Sequence, residues 1–234
     1  MESPDEVVER SRSTGGGDDG RQRRHGPVIE VFADVWCPFA HVGLRTILAY
    51  RERAGREDVA VLVRAWPLEL VNGAPLDPAV TKRHAEELRE QVATDLFGDL
   101  DVHHFPTSTL EALALTHRAY RVGLRAGEHM SVALRDALFE EGRDVADPTV
   151  LEAIAGDLGV PMPDGTDRAA VATDLDEGRR RGVLGSPHFF CGSADVFCPT
   201  LDITKDPVAG LSVVRDAARL TAFLDRCLDR PGRG

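Results

Sequence analysis

No apolar run in this chain approaches the roughly 20 residues needed to cross a bilayer, so no membrane-spanning helix and no membrane partner are expected. Positive charge is also scarce. A formal net charge of −11 leaves no basic footprint for a phosphate backbone, which excludes nucleic acid as an expected partner. Lysine occurs only at Lys82 and Lys205, and arginine carries the rest, a bias read as coding composition. The N-terminal MESPDEVVERSRSTGGG has no apolar core of the kind a secretory leader requires. If the chain starts there, its expected compartment is the cytoplasm. Cysteine is rare as well. Cys37, Cys191, Cys198 and Cys227 are too few to scaffold 234 residues, and in a reducing compartment they are thiols by default.

What is present is an apolar fraction of 42%, enough for a sizeable core in one large domain or one domain carrying an insert. The informative stretch is VIEVFADVWCPFAHVGLRTI, Val28 to Ile47. Val28, Ile29, Val31 and Phe32 have strand character. Val42, Leu44, Ile47 and Leu48 recur at helical spacing. Cys37 therefore sits where a buried strand ends and a helix begins. Pro38 follows at the first helical turn, where a missing N–H costs nothing. The open amides and positive dipole end of a helix favour thiolate at such a position.

Residues 1–26 mix charge with Gly, Ser and Arg and are expected to form a disordered tail. After the strand–Cys–helix unit, Val59 to Trp66 reads as a buried parallel strand, giving a right-handed βαβ unit. From about Pro78 the periodicity is helical: Ala79–Leu96, Thr107–Leu124, Met130–Glu141, a helix opened by Asp147-Pro148 and ending near Gly159, and Thr166–Arg181. Pro187–Cys191, a turn over Gly192–Asp195 and Val196–Cys198 read as a hairpin. A last helix is expected over Leu211–Leu228.

Five stretches of this chain resemble the DsbA family and, within it, the cytoplasmic FrnE-like subgroup. They are DVWCPFAHVG (Asp34–Gly43), WPLELVN (Trp66–Asn72), Phe105-Pro106-Thr107-Ser108 with Ala112, the run from Leu134 to Val160, and GVLGSPHFF (Gly182–Phe190). The resemblance covers about residues 28 to 205. It implies an α/β class, a thioredoxin fold with an inserted helical domain. The thioredoxin-like part would comprise 27–74 and 166–230, and the helical insertion 75–165. It also implies a cis bond between Ser186 and Pro187, in a loop that lies against Cys37 and offers its backbone to a substrate strand.

The departure is at Ala40. The family's Cys-x-x-Cys resolves a mixed disulfide with its second thiol. Cys37-Pro38-Phe39-Ala40 has none. Cys191 should lie about 13 Å beyond Pro187 on an extended strand, against the roughly 7 Å a disulfide allows between Cα atoms. Neither Cys198 nor Cys227 looks placed to substitute. Three readings follow. The first is a thiol–disulfide oxidoreductase or isomerase acting through Cys37 alone on a disulfide-containing protein or a small thiol. It needs no tightly bound cofactor and uses glutathione or mycothiol as co-substrate. The second is a small-molecule isomerase or thiol S-transferase, similar to 2-hydroxychromene-2-carboxylate isomerase and the kappa-class glutathione transferases, which share the inserted fold and carry serine at the first motif position. The third is a non-catalytic binding protein.

Cys37 is the candidate catalytic residue. Pro38, Phe39, Ala40, His41, Ser186, Pro187 and His188 are the candidate substrate-binding residues. His41, one turn after the cysteine, either supports the thiolate or occupies the helix surface. His188 either faces the sulfur or, since strand neighbours alternate, points away. Trp36 reads as core. Asp34 either tunes the thiol or faces solvent in a turn. Cys191 and Cys198 either pair across the hairpin or stay reduced in the core. His84, His103 and His104 share no ligand spacing, so no metal is expected. Arg179-Arg180-Arg181 either closes a helix, where cations suit the dipole, or attracts an anionic thiol such as glutathione. Nothing in the sequence fixes the oligomeric state.

Overall fold

The computed structural model describes residues 26–206 and 210–228. The tail expected over 1–26 lies outside them apart from Gly26, as do the last two residues of the thioredoxin-like part. Strand β1 (Val28–Ala33) buries side chains on both faces of the sheet, with Val31, Phe32 and Ala33 all buried. Ile29, Val31 and Ala33 enter one apolar cluster, while Phe32 enters another on the opposite face with Trp66, Leu175 and Phe190. Helix α1 (Pro38–Arg53) follows. Strand β2 (Ala60–Ala65) then runs parallel to β1, from Val28 opposite Ala60 to Ala33 opposite Ala65.

Seven further helices complete the described residues. A five-residue turn of helix, α2 (Leu68–Asn72), had no visible period and closes on Gly73 at φ 75°, a left-handed position that glycine takes freely. Then come α3 (Pro78–Gln91), α4 (Leu110–Val122), α5 (Leu124–Phe139), α6 (Pro148–Asp157) and α7 (Gly165–Arg180). Side chains fix three of their starts. Asp77 accepts from the Val80 amide, Asp147 from Thr149, and Asp164 forms a capping box with Asp167. Strands β3 (His188–Cys191) and β4 (Ala194–Phe197) form the expected hairpin. β3 pairs antiparallel to β1, so the sheet order is β2-β1-β3-β4. This is the thioredoxin arrangement the motif order implied.

The chain's end departs from expectation. Leu211–Leu228 is not one helix. Strands β5 (Leu201–Asp206) and β6 (Gly210–Arg215) form a second hairpin, and only then does α8 (Ala217–Leu228) begin. Leu211 and Val213 are buried and Ser212 and Val214 exposed, a period of two that short apolar runs conceal within a helical one. The hairpin rests on α3: Gln91 donates to the Leu211 carbonyl and accepts from the Val213 amide.

Cysteine pairing is the other correction. Cys191 is bonded to Cys227, with Cα atoms 5.4 Å apart. The Cys191–Cys198 pairing does not form, and these two thiols are not both reduced. Cys191 pairs with Ala194 at the hairpin turn, whereas Cys198 follows Phe197, which sits opposite His188 at the other end. Cys191 shares the cluster on the α1 and α8 side of the sheet, with Phe189, Phe223 and Leu224, and Cys227 arrives there on α8.

On the other face α7 approaches closely at Gly178. A Cβ there would lie 2.5 Å from the Trp66 ring and 3.1 Å from Phe32. Both rings are buried, so neither yields freely. Gly178→Ala should cost about 2 kcal/mol by overpacking, read as a lower urea midpoint at unchanged slope.

Candidate functional site

Cys37 is the N-cap of α1, with extended backbone (φ −83°, ψ 112°) and Pro38 at the first helical position. The Ser186–Pro187 bond is cis. The Cys37 Sγ lies 3.1 Å from the Ser186 carbonyl oxygen, to which it donates. Helix α1 packs on the loop at Gly43, one turn into the helix. A Cβ there would stand 3.4 Å from Pro187 Cγ. Cys37, Pro38, Ala40, Ser186 and Pro187 are thus gathered at one point, and Phe39 packs half-buried beside it against His84, ring centroids 5.8 Å apart. Leu184, two residues before Ser186, and Phe197 are exposed, leaving an apolar rim on the loop side.

The two histidines are not brought to the sulfur. The His41 ring is buried between Phe97 and Phe139 and bonds Glu140 at 2.7 Å. Burial lowers its pKa despite that carboxylate. His188 stacks on Phe190, on the α7 side of the sheet. Its Nδ1 accepts from the Leu184 amide and its Nε2 meets Asp195. Phe189, the neighbour on the opposite face, is the one that reaches α1. Arg181 does not reach the site either. It stacks 4.0 Å over Phe190 and pairs with Glu30.

The electrostatics reverse the expectation from the helix start. The Cys37 thiol is pushed up, first by burial and further by the charge of Asp34, against the opposing effect of Ser186 and the Ala40 and Phe39 amides. The sulfur is 3% exposed, and taking it out of water outweighs the open amides and dipole. At rest Cys37 is a protonated thiol that donates to Ser186.

Asp34 is fully buried, not solvent-facing. Its carboxylate accepts from the Val35 amide (2.6 Å), the Leu68 amide (2.5 Å) and Thr109 Oγ1 (2.6 Å). Its own amide donates to Ser186 Oγ at 3.0 Å, tying the cis-proline loop to the end of β1. Burial raises its pKa to about 6, and the Arg135 charge acts the other way. Arg135, itself buried, donates to the Asp34 carbonyl at 2.9 Å and to Ser131. No sequence signal points to Thr109 or Arg135, which lie 75 and 101 residues away along the chain. Cys198, which did not look placed to substitute for the missing thiol, lies at the same loop. Its amide donates to the Pro187 carbonyl at 3.0 Å.

Since the Asp34 charge raises the Cys37 pKa, Asp34→Asn should move it down. Asn keeps one carbonyl oxygen for the Thr109 hydroxyl. Alkylation of Cys37 at neutral pH should become a few-fold faster, and its pH profile should shift to lower pH.

Comparison with known proteins agrees with this geometry. A protein-family model described as DSBA-like thioredoxin domain matches residues 28–205. No curated protein matches the chain. Among solved structures, a "putative protein disulfide isomerase" from Nitrosomonas europaea superposes with a TM-score of 0.62 at 16% identity, over 88% of this chain and 100% of that one. The cytosolic disulfide reductase DsbM from Pseudomonas aeruginosa, solved with GSH, gives 0.54 at 17%, over 85% and 98%. A 2-hydroxychromene-2-carboxylate isomerase gives 0.54 at 10%, over 73% and 88%. These identities carry the fold alone. With the family match spanning most of the chain and a cysteine set against a cis-proline loop, the chain belongs to the DSBA-like thioredoxin domain family.

Proposed function

We propose that the protein is a thiol–disulfide oxidoreductase or isomerase in which Cys37 is the nucleophile and the Cys-x-x-Ala motif supplies no second thiol. The observation that carries this reading is the Cys37 sulfur 3.1 Å from the Ser186 carbonyl, at the head of α1 and beside Pro187. A disulfide docked along the loop would place one sulfur against Cys37. Attack by the thiolate gives a mixed disulfide and releases the other substrate sulfur. Phe39, Leu184 and Phe197 offer apolar contact to the substrate. The reading carries with it a cytoplasmic, thiol-reducing setting, with glutathione or mycothiol as co-substrate.

A second reading, a small-molecule isomerase or thiol S-transferase, is favoured by Ala40 alone, which is fully buried and removes the ordinary redox pair. Ala40→Cys separates the two. Under the oxidoreductase reading it restores a resolving thiol at one helical turn. Made together with Cys198→Ser, so that Cys37 is the one other free thiol among the described residues, and compared with Cys198→Ser alone, it should raise insulin-disulfide reduction by about ten- to a hundredfold, because resolution becomes intramolecular. No gain in a folded variant would mean that the groove serves other chemistry.

A further inference from the structure

Two free thiols lie among the described residues, Cys37 and Cys198, both buried. They are 161 positions apart in sequence and hang from adjoining residues of one loop. The Cys37 sulfur bonds the Ser186 carbonyl, and the Cys198 amide bonds the Pro187 carbonyl at 3.0 Å. Ser186 and Pro187 are joined by the cis bond, which brings their Cα atoms to about 2.9 Å. Cys37 thus reaches this dipeptide from the start of α1 and Cys198 from the end of β4.

The backbone of Cys198 is unusual. At φ 45° it shares the left-handed region with Phe97 alone among described non-glycine residues. Glycine would take that conformation freely, whereas a residue with a side chain is strained there. The position therefore carries a thiol at some cost to the fold. The sulfurs also interact. Burial first, and the charge of Cys37 second, push the Cys198 thiol up to about 12.

Resting on the reading of Cys37 as nucleophile, we propose that Cys198 is its resolving thiol, the partner that the motif lacks. With a substrate R–S–S–R′, Cys37 thiolate forms a bond to one sulfur and R′S⁻ leaves, taking up a proton. The negative charge beside Cys198 is then gone. Cys198 attacks the Cys37 sulfur, the Cys37–Cys198 disulfide forms, and the Cys37–SR bond breaks. The proton of Cys198 ends on the departing RSH. The substrate is reduced by two electrons and the protein oxidised by two. Two molecules of a small thiol, themselves oxidised to their disulfide, return the protein to its dithiol state.

The test uses oxidised glutathione as probe, with acid quenching, intact mass and peptide mapping of the full chain. Cys198→Gly suits the positive φ, and Cys198→Ser provides a second variant that retains a side chain. In the native protein a Cys37–glutathione adduct should appear briefly and give way to a Cys37–Cys198 cross-linked peptide, distinct from Cys191–Cys227. In both variants the adduct should form and persist on the order of tenfold longer or more. Equal adduct lifetimes in native protein and variants, with no Cys37–Cys198 peptide, would overturn the role of Cys198 and leave Cys37 as a monothiol. Failure of any adduct to form on Cys37 in the native protein would overturn the nucleophile reading itself, and the role of Cys198 with it.

Discussion

Cys37→Ser should abolish the mixed disulfide with glutathione and lower disulfide exchange on the order of a thousandfold, with little loss of stability. A serine hydroxyl fits the same N-cap and can donate to the same Ser186 carbonyl that the thiol uses, so the loop stays in place while the nucleophile is lost. The measurement is the rate of insulin-disulfide reduction beside intact mass after exposure to oxidised glutathione. A serine variant as active as the native protein would exclude thiol chemistry at this groove and favour the isomerase or transferase reading.

Arg135→Met should lower stability by about 3 kcal/mol or more, the cost of removing one partner from a buried charged pair. Arg135 is fully buried. It supplies hydrogen bonds to the Asp34 carbonyl, the Ser131 carbonyl and the Ser131 hydroxyl, and its charge opposes that of Asp34. Burial lowers its own pKa to about 10, so it remains charged at neutral pH. Methionine fills similar volume but leaves the Asp34 carboxylate without a counter-charge. The pH dependence follows. Asp34 has a folded pKa of about 6, above its ordinary 3.8. Between those values the folded state holds the extra proton, so this group's contribution to stability falls as pH rises through that window. Without Arg135 the folded pKa moves higher still. The deficit of the variant should therefore be smaller near pH 5 and larger near pH 8, read from urea midpoints at both. A deficit independent of pH would show that packing, not charge, is what Arg135 supplies.

Both effects centre on Ser186. Asp34 holds it through the amide bond to its hydroxyl, and Cys37 holds its carbonyl. Thr109, from the start of α4, and the Leu68 amide, from α2, close over the Asp34 carboxylate. The helices between β2 and β3 are thus coupled to the thiol's surroundings through one buried acid, and substitutions at Thr109 or Arg135 would reach the groove without touching a substrate.

The sequence by itself determined the parts that local pattern and motif order encode. The apolar run of Val28, Ile29, Val31 and Phe32, the proline after Cys37 and the Asp147-Pro148 helix start were legible because each depends on neighbours a few residues away, while the cis-proline loop came from the resemblance to the DsbA family. Set in order, they were enough to identify the thioredoxin fold. Only the tertiary structure decided what depends on partners far along the chain. Strand alternation let His188 face either way, and packing on Phe190 turned it from the thiol. Helix geometry put His41 one turn after Cys37, and the pocket of Phe97, Phe139 and Glu140 withdrew it. The helix start argued for a thiolate, but desolvation, a property of everything packed around the sulfur, outweighed it. Cysteine pairing turned on which face of the sheet α8 covers, so Cys191 met Cys227. Cys198, set aside on strand geometry as a partner for Cys37, lies at the cis-proline loop.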